Sequence, residues 1–178
     1  EAILERIPAD SDLCLLDVGT GSGAIAIAIA TERPGVRVTA SDLSDAALRV
    51  AQQNAARHEL SERVKFVQGD LLDAVSGLCF DWIVSNPPYI PAVHQATLMD
   101  DVRNYEPHLA LFSGNDGLAI INQLIERAPD HLRPEGRLAF EFGFDQADDI
   151  NTCLERSRFT NFILGKDLAG LPRFAIAR

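Results

Sequence analysis

Six consecutive residues, Ser85-Asn86-Pro87-Pro88-Tyr89-Ile90, combine side chains able to hold one planar nitrogen in a fixed pose. In an amide or aromatic amine the nitrogen lone pair is delocalised into the adjoining carbonyl or ring, so such a nitrogen attacks poorly unless it is presented in one orientation. The Asn86 side-chain oxygen and the Pro87 backbone carbonyl can each accept one N–H of an NH2 group, fixing its plane and pushing electron density onto nitrogen. The paired prolines keep this backbone extended, so the carbonyl is in place before a substrate arrives. Tyr89 offers a flat face to a flat group. Asn86, Pro87, Pro88 and Tyr89 are the candidate catalytic residues. Taken alone, the same four residues also suit a plain proline turn after a strand.

A second cluster runs Asp17-Val18-Gly19-Thr20-Gly21-Ser22-Gly23, where glycines at alternate positions let the backbone pass close to a ligand. Asp42, 19 residues past Gly23, is spaced to hydrogen-bond both hydroxyls of a ribose. Gly19-x-Gly21-x-x-Ala24 also satisfies the loose dinucleotide fingerprint, so the loop by itself leaves a nicotinamide cofactor open. Asp70 can reach an adenine amino group and Leu71 can pack on its ring, although an aspartate after a strand also serves as an ordinary turn residue. A cofactor carrying a sulfonium methyl brings its own leaving group, so in-line displacement needs alignment and electrostatics rather than a tuned general base. The absence of Ser-His-Asp or metal-ligand spacing agrees with that chemistry, and no residues for hydride transfer are evident. S-adenosylmethionine, leaving as S-adenosylhomocysteine, is the cofactor this combination predicts, with no metal. The candidate cofactor-binding residues are Asp17, Gly19, Thr20, Gly21, Ser22, Gly23, Asp42, Leu43, Asp70 and Leu71.

The elements that must position these groups alternate between strand and helix, which predicts an α/β fold with a doubly wound sheet. Residues 13–18 form a short, nearly all-apolar run ending in glycines, as expected of a central parallel strand covered on both faces. Ser22 is read as capping a helix to about Glu32, stopped by Pro34-Gly35. Strands are predicted over 36–41, 64–67 and 80–85. Between the first two of these Ser44 opens a helix to about His58, its apolar positions Ala47, Leu48, Ala51 and Ala55 following the 3.6-residue period. Two adjacent prolines cannot continue a central strand, so Asn86 must sit at the carboxyl end of strand 80–85. Residues 90–115 read as a long loop over the site. A helix follows from Asp116 to about His131, then a turn at Pro134-Glu135-Gly136, a strand over 137–142, a helix near 146–156, and closing strands over 159–164 and 173–177. The sum is seven strands, mostly parallel, with helices on both faces.

At 178 residues one domain spanning 1–178 is expected, with a core large enough to fold without disulfides or metals. The net charge of −10 and isoelectric point near 4.7 disfavour direct binding of a phosphate backbone. The longest apolar stretch, Ala24 to Ala30, is far short of the roughly 18 residues of a membrane span. Cys14, Cys79 and Cys153 offer neither metal spacing nor an even disulfide set, which predicts a reducing, cytoplasmic setting, with Cys14 and Cys79 as small buried side chains. Trp82 reads as core, the four histidines as surface residues, Glu106 as solvated, and Arg173 as exposed at a strand edge, where it can also pair with an acidic residue. Glu1 falls inside a helix-like segment, residues 2–7, without an initiating methionine, so an upstream segment is expected to be missing. The chain is expected to be a monomer.

These motifs resemble those of the class I methyltransferases, whose fold is Rossmann-like, and within them the HemK/PrmC family, which methylates the glutamine of the Gly-Gly-Gln loop in peptide-chain release factors. The likeness covers residues 17–30, 41–44, Ala47-Leu48, Asn54-Ala55, 85–91, Tyr105-Glu106-Pro107, 110–112, 115–118, Glu141-Phe142-Gly143 with Gln146, and 167–173. It implies S-adenosylmethionine-dependent N5-methylation of that glutamine, a release factor as partner, cofactor contacts from Gly19 to Gly23, Asp42, Leu71 and Asn86, and a glutamine site at Asn86 to Tyr89. It also implies a helical docking domain upstream, which is not expected within residues 1–178. Ser113-Gly114 stands where the family has two glycines, and Ile120-Ile121 where it often has an aromatic. The same tetrapeptide occurs in enzymes that methylate exocyclic amines of adenine, cytosine or guanine, which leaves an RNA or DNA substrate as the alternative. Tyr105-Glu106-Pro107, the Gly170-x-Pro172-Arg173 ending and the acidic charge favour glutamine. An intact Asn86 to Tyr89 argues against a non-catalytic scaffold.

Overall fold

A computed structural model of the chain describes residues 1–89 and 117–178. In it β1 (Cys14–Val18), β2 (Arg37–Asp42), β3 (Val64–Gln68), β4 (Phe80–Ser85), β5 (Leu132–Glu141), β6 (Phe162–Lys166) and β7 (Pro172–Ala177) make one sheet ordered β3-β2-β1-β4-β5-β7-β6. The pairs β1 with β2, β2 with β3, β1 with β4 and β4 with β5 are parallel, while β7 lies antiparallel between β5 and β6. This is the mostly parallel seven-stranded sheet that the sequence predicts.

Side chains of the central strands alternate between two buried layers, as the two-residue period of a strand requires. Leu15, Trp82 and Val84 join one layer with Ile27, Ala30 and Ala55 of helices α1 (Ala24–Glu32) and α2 (Asp45–Arg57). Leu16, Val18 and Ile83 join the other with Ile121, Leu124 and Leu154 of α3 (Ala119–Arg127) and α4 (Ala147–Glu155). Because both faces are covered, β1 and β4 carry apolar residues in succession rather than in alternation with polar ones. Helix α1 alternates alanine with isoleucine, and its small side chains let it lie close to the sheet. Helix α2 is two-faced: Leu48, Ala51 and Ala55 are buried, and the Ser44 side chain accepts from the Ala47 N–H at 3.2 Å, as expected of its N-cap.

Several sequence expectations need correction. The cap of α1 is not Ser22 but Gly23, in the left-handed conformation at φ +84 and without a side-chain bond of its own. The turn expected at Pro134-Glu135-Gly136 is a bulge inside β5. Phe80 pairs with Leu132 and Trp82 with Arg137, so the intervening residues loop out, which accommodates a proline that cannot donate to the ladder. The segment at residues 2–7 forms only a 3-10 turn, Leu4–Arg6. Cys79 is exposed in the connection before β4 rather than buried, and Cys14 is half-buried. The helix predicted from Asp116 is described as α3 from Ala119, continuing as a 3-10 turn over Ala128–His131. Trp82 is core, 4% exposed, with the Arg137 guanidinium 5.4 Å from its ring. The loop at 90–115, with Glu106, His94 and His108, lies outside the described residues. Among the described residues no helix is long and apolar enough to cross a membrane.

Candidate active site

The chain leaves β1 toward β2 on one side of the sheet and later returns to β4 on the other, so strand order reverses between β1 and β4. In open parallel sheets ligands bind in the crevice at the carboxyl ends of such a pair. Register fixes what meets there. Val18 pairs with both Ser41 and Ser85, and Ser85 pairs with Phe140. The residues that follow each strand therefore emerge side by side, with neighbouring strands about 4.8 Å apart. Along the rim stand Asp70 and Leu71 after β3, Asp42 and Leu43 after β2, the glycine loop after β1, Asn86 to Tyr89 after β4, and Glu141 closing β5. The Ser85 hydroxyl donates to the Val18 carbonyl at 2.8 Å and ties the two central strands together just below the crevice.

The glycine loop is held from three sides. Its Thr20 N–H donates to the Ser41 carbonyl at 2.9 Å, its Gly21 N–H donates to Asp42 Oδ2 at 2.9 Å, and its Ser22 carbonyl accepts from Asn54 Nδ2 at 2.9 Å. A Cβ placed on Gly19 or Gly21 would meet no atom of the described residues within 4 Å, which leaves room for a ligand beside the loop. Asp42 is oriented from both sides, its Oδ1 accepting from the Ser44 N–H at 2.8 Å. Leu43 is 57% exposed next to it. Asp70 is exposed at the start of the 3-10 turn Leu71–Val75, and Leu71 is half-buried with φ +44.

Asp17 sits beneath the loop rather than on its surface, 1% exposed. Its Oδ2 accepts from the Thr20 hydroxyl at 2.6 Å and from the Ala26 N–H at 3.2 Å. Ala26 is the third residue of α1, one of the first-turn donors that a helix cannot satisfy internally, so Asp17 supplies from the neighbouring strand the cap that Ser22 does not. Its other oxygen, Oδ1, is buried without a partner among the described residues. Burial pushes the Asp17 carboxyl up to about 6, against the Thr20 and Ala26 hydrogen bonds and with a further push from Asp42.

At the other end of the crevice Asn86 is exposed, and its carboxamide makes no hydrogen bond to a described residue. Pro87 is buried beneath it, while Pro88 and Tyr89 are half-buried. The Tyr89 hydroxyl donates to Glu141 Oε1 at 3.0 Å. Burial, with the Glu141 charge and hydrogen bond, raises the Tyr89 phenol above its usual range, opposed by Arg173, so the hydroxyl keeps its proton. Arg173 is not simply exposed: its Nε lies 3.3 Å from Asp167 Oδ2. The Tyr89 carbonyl accepts from Gln146 Nε2 at 3.0 Å. Sequence reasoning gave Glu141 and Gln146 no role. Their signs in the sequence are a charge ending an apolar strand and a place in the family likeness, and bonds spanning 52 and 57 residues cannot be read from spacing. Among the described residues no group of three His, Cys, Asp or Glu side chains can hold a metal ion. A cavity of about 260 Å³ beside Trp82 and Arg137 and one of about 340 Å³ between α3 and α4 both lie away from this rim.

Fold and rim together define a doubly wound α/β protein with an open glycine loop and an oriented carboxylate at one end of its crevice and an exposed carboxamide at the other. Comparison with known proteins gives the same class. The methyltransferase small domain family model matches residues 1–102. A release factor glutamine methyltransferase of Koribacter versatilis (strain Ellin345) is 42% identical over 179 residues, covering 100% of this chain and 62% of that protein. One from Moorella thermoacetica is 47% identical over 178 residues, covering 99% and 62%. The crystal structure of a methyltransferase from Pyrococcus furiosus superposes with a TM-score of 0.69 at 22% identity, over 99% of this chain and 79% of that one, a likeness of fold. The chain belongs to the methyltransferase small domain family. It spans less than two thirds of the length of the curated relatives it matches.

Proposed function

We propose that this chain catalyses S-adenosylmethionine-dependent N5-methylation of the glutamine in the Gly-Gly-Gln loop of peptide-chain release factors. The observation that carries the reading is the placement of Asn86-Pro87-Pro88-Tyr89 at the carboxyl end of β4, next to the glycine loop of β1, in a chain 40–49% identical to proteins named release factor glutamine methyltransferase. The open space beside Gly19 and Gly21, the oriented carboxylate of Asp42 and the apolar Leu43 and Leu71 fit an adenosyl group. When bound, S-adenosylmethionine supplies a methyl on a sulfonium, an electrophile with its leaving group attached.

The residues of this chain do the rest by orientation. Asp42 accepts from the ribose hydroxyls while Gly21 and Ser44 hold it in place. The Asn86 oxygen and the Pro87 carbonyl each accept one N–H of the glutamine side chain, which fixes the plane of the amide and turns its nitrogen lone pair toward the methyl. Tyr89 packs against the flat amide, its hydroxyl anchored on Glu141. Asp17 acts from below, keeping the loop and the first turn of α1 together. The product nitrogen sheds its proton to solvent, so no side chain with a tuned pKa is required.

Isothermal titration with S-adenosylhomocysteine, followed by transfer of labelled methyl to a purified release factor, tests this. Binding, with label lost when the Gly-Gly-Gln glutamine is changed to alanine, is the expected result. Label in RNA or DNA, or at another residue of the release factor, would overturn the substrate assignment. No binding would overturn the cofactor assignment as well.

A further inference from the structure

Gln146 is a 5% exposed side chain in the 3-10 turn Phe144–Gln146 that follows β5. Its Nε2 donates to the Tyr89 carbonyl at 3.0 Å, and its Oε1 accepts from the Gly143 N–H at 2.8 Å. Its own N–H donates to the Gly143 carbonyl at 2.8 Å, which closes the turn. One carboxamide thus joins the last residue of the catalytic tetrapeptide to the end of β5. Gly117, entering α3, closes the junction from another direction. A Cβ there would lie 2.1 Å from the Tyr89 carbonyl oxygen and 2.7 Å from Gln146 Nε2, at φ +74. Glu141 holds the same tyrosine by its hydroxyl. Tyr89 is therefore fixed at its backbone carbonyl by Gln146 and at its hydroxyl by Glu141.

Building on the function proposed above, we infer that Gln146 is a positioning residue, whose donated hydrogen bond to Tyr89 sets the pose of Asn86 and Pro87. Two prolines make the tetrapeptide stiff, so a constraint on the Tyr89 carbonyl is passed back to the Pro87 carbonyl two residues earlier rather than absorbed between them. The distinction from mere packing lies in which atom carries hydrogen. A glutamate at 146 keeps shape and volume, yet its carboxylate puts a second acceptor against the Tyr89 carbonyl. Its protonated form donates and restores the bond. Among the described residues the nearby charges are Glu141 and Asp145, whose Oδ1 lies beside Gly143, with Arg173 acting on the Tyr89 phenol and lying over the Phe144 ring. The two carboxylates and the burial favour the neutral form of the introduced acid, against the Gly143 N–H, whose bond to Oε1 favours the charged one.

The test uses Gln146→Glu in the full chain, compared with the parent at each pH from about 6 to 8.5. Turnover on a release factor is expected to fall roughly tenfold to a hundredfold at high pH, the effect of leaving buried groups unpaired. The deficit should close as pH falls, while S-adenosylhomocysteine affinity stays within about twofold. Hydrogen–deuterium exchange of the peptide spanning β4 and Asn86 to Tyr89 is measured alongside, and should be faster than in the parent only at high pH. A turnover ratio and an exchange ratio that stay constant across this range overturn the proposal, and so does equal loss of turnover and cofactor binding. If the parent itself transfers no methyl to a release factor, the glutamine-methyltransferase reading fails, and the exchange comparison alone decides whether Gln146 holds the tetrapeptide. Gln146→Ala, folded by circular dichroism yet deficient at every pH, is the expected control; normal turnover in it also overturns the proposal.

Discussion

Replacing Asp17 with asparagine should remove a pH dependence from the stability of the fold. In the folded chain burial raises the Asp17 carboxyl from 3.8 to about 6. Between those values the folded protein holds a proton that the unfolded chain has released, so stability falls as pH rises. The contribution is complete below 3.8 and gone above about 6. At ~1.4 kcal/mol per pH unit, that window amounts to roughly 3 kcal/mol. Asparagine keeps an acceptor for the Thr20 hydroxyl and the Ala26 N–H and does not titrate. Its unfolding free energy relative to the parent should therefore shift in its favour by roughly 3 kcal/mol between about pH 3 and pH 7. Urea unfolding followed by circular dichroism at intervals of half a pH unit measures this. Asp130 and Asp167 are held below their usual range by Arg158 and by the Leu171 N–H, so they titrate beneath this window and cancel in the difference. Parallel curves for the two proteins would refute the account of Asp17 as a desolvated carboxyl bracing the loop.

Other substitutions separate the parts of the site. Asn86→Ala should lower turnover by roughly 10²-fold, the effect of removing one positioned polar group at a reacting centre, with S-adenosylhomocysteine affinity nearly unchanged by calorimetry. Near-normal turnover would remove the orienting role. Tyr89→Phe deletes the donor to Glu141 and should reduce kcat/KM roughly tenfold. Because the phenol keeps its proton, that loss should be the same at every pH of the assay, and a loss that grows with pH would argue for a titrating tyrosine instead. Ser44→Ala removes the cap of α2 and should destabilise the fold by about 1 kcal/mol in thermal unfolding. Cofactor affinity should hold, since Asp42 is gripped by the Ser44 backbone rather than its side chain.

Where sequence predicted structure well, a local rule had no competitor. Strand β4 ends where Asn86-Pro87-Pro88 makes further pairing impossible, and α2 begins where Ser44 can cap it. The rim followed from these, since the carboxyl ends of β1, β2, β3 and β4 are marked by glycine, aspartate and proline. Expectations failed where the answer depended on a distant partner. Ser22 looked like the cap of α1, but the left-handed turn at Gly23 and the Asp17 carboxylate, nine residues before Ala26, take over that function. The Pro134 turn became a bulge because Phe80 finds Leu132 on the far side of it. Glu141 and Gln146 meet Tyr89 only because β5 lies beside β4, a fact of topology. Asp17, spaced like a ligand contact, proves to be foundation, since its position in a strand covered on both faces turns its side chain inward.

Trp82 is the only tryptophan in the chain, and it lies on β4 four residues before Asn86. Its indole is nearly shut off from water and has a guanidinium over its ring. Every photon of indole emission therefore originates in the strand that carries the catalytic tetrapeptide. The protein contains its own optical reporter, since emission wavelength follows solvation of the indole. A stopped-flow fluorimeter can thus register strain passed down β4 when a ligand engages the crevice, without a dye and without altering a residue.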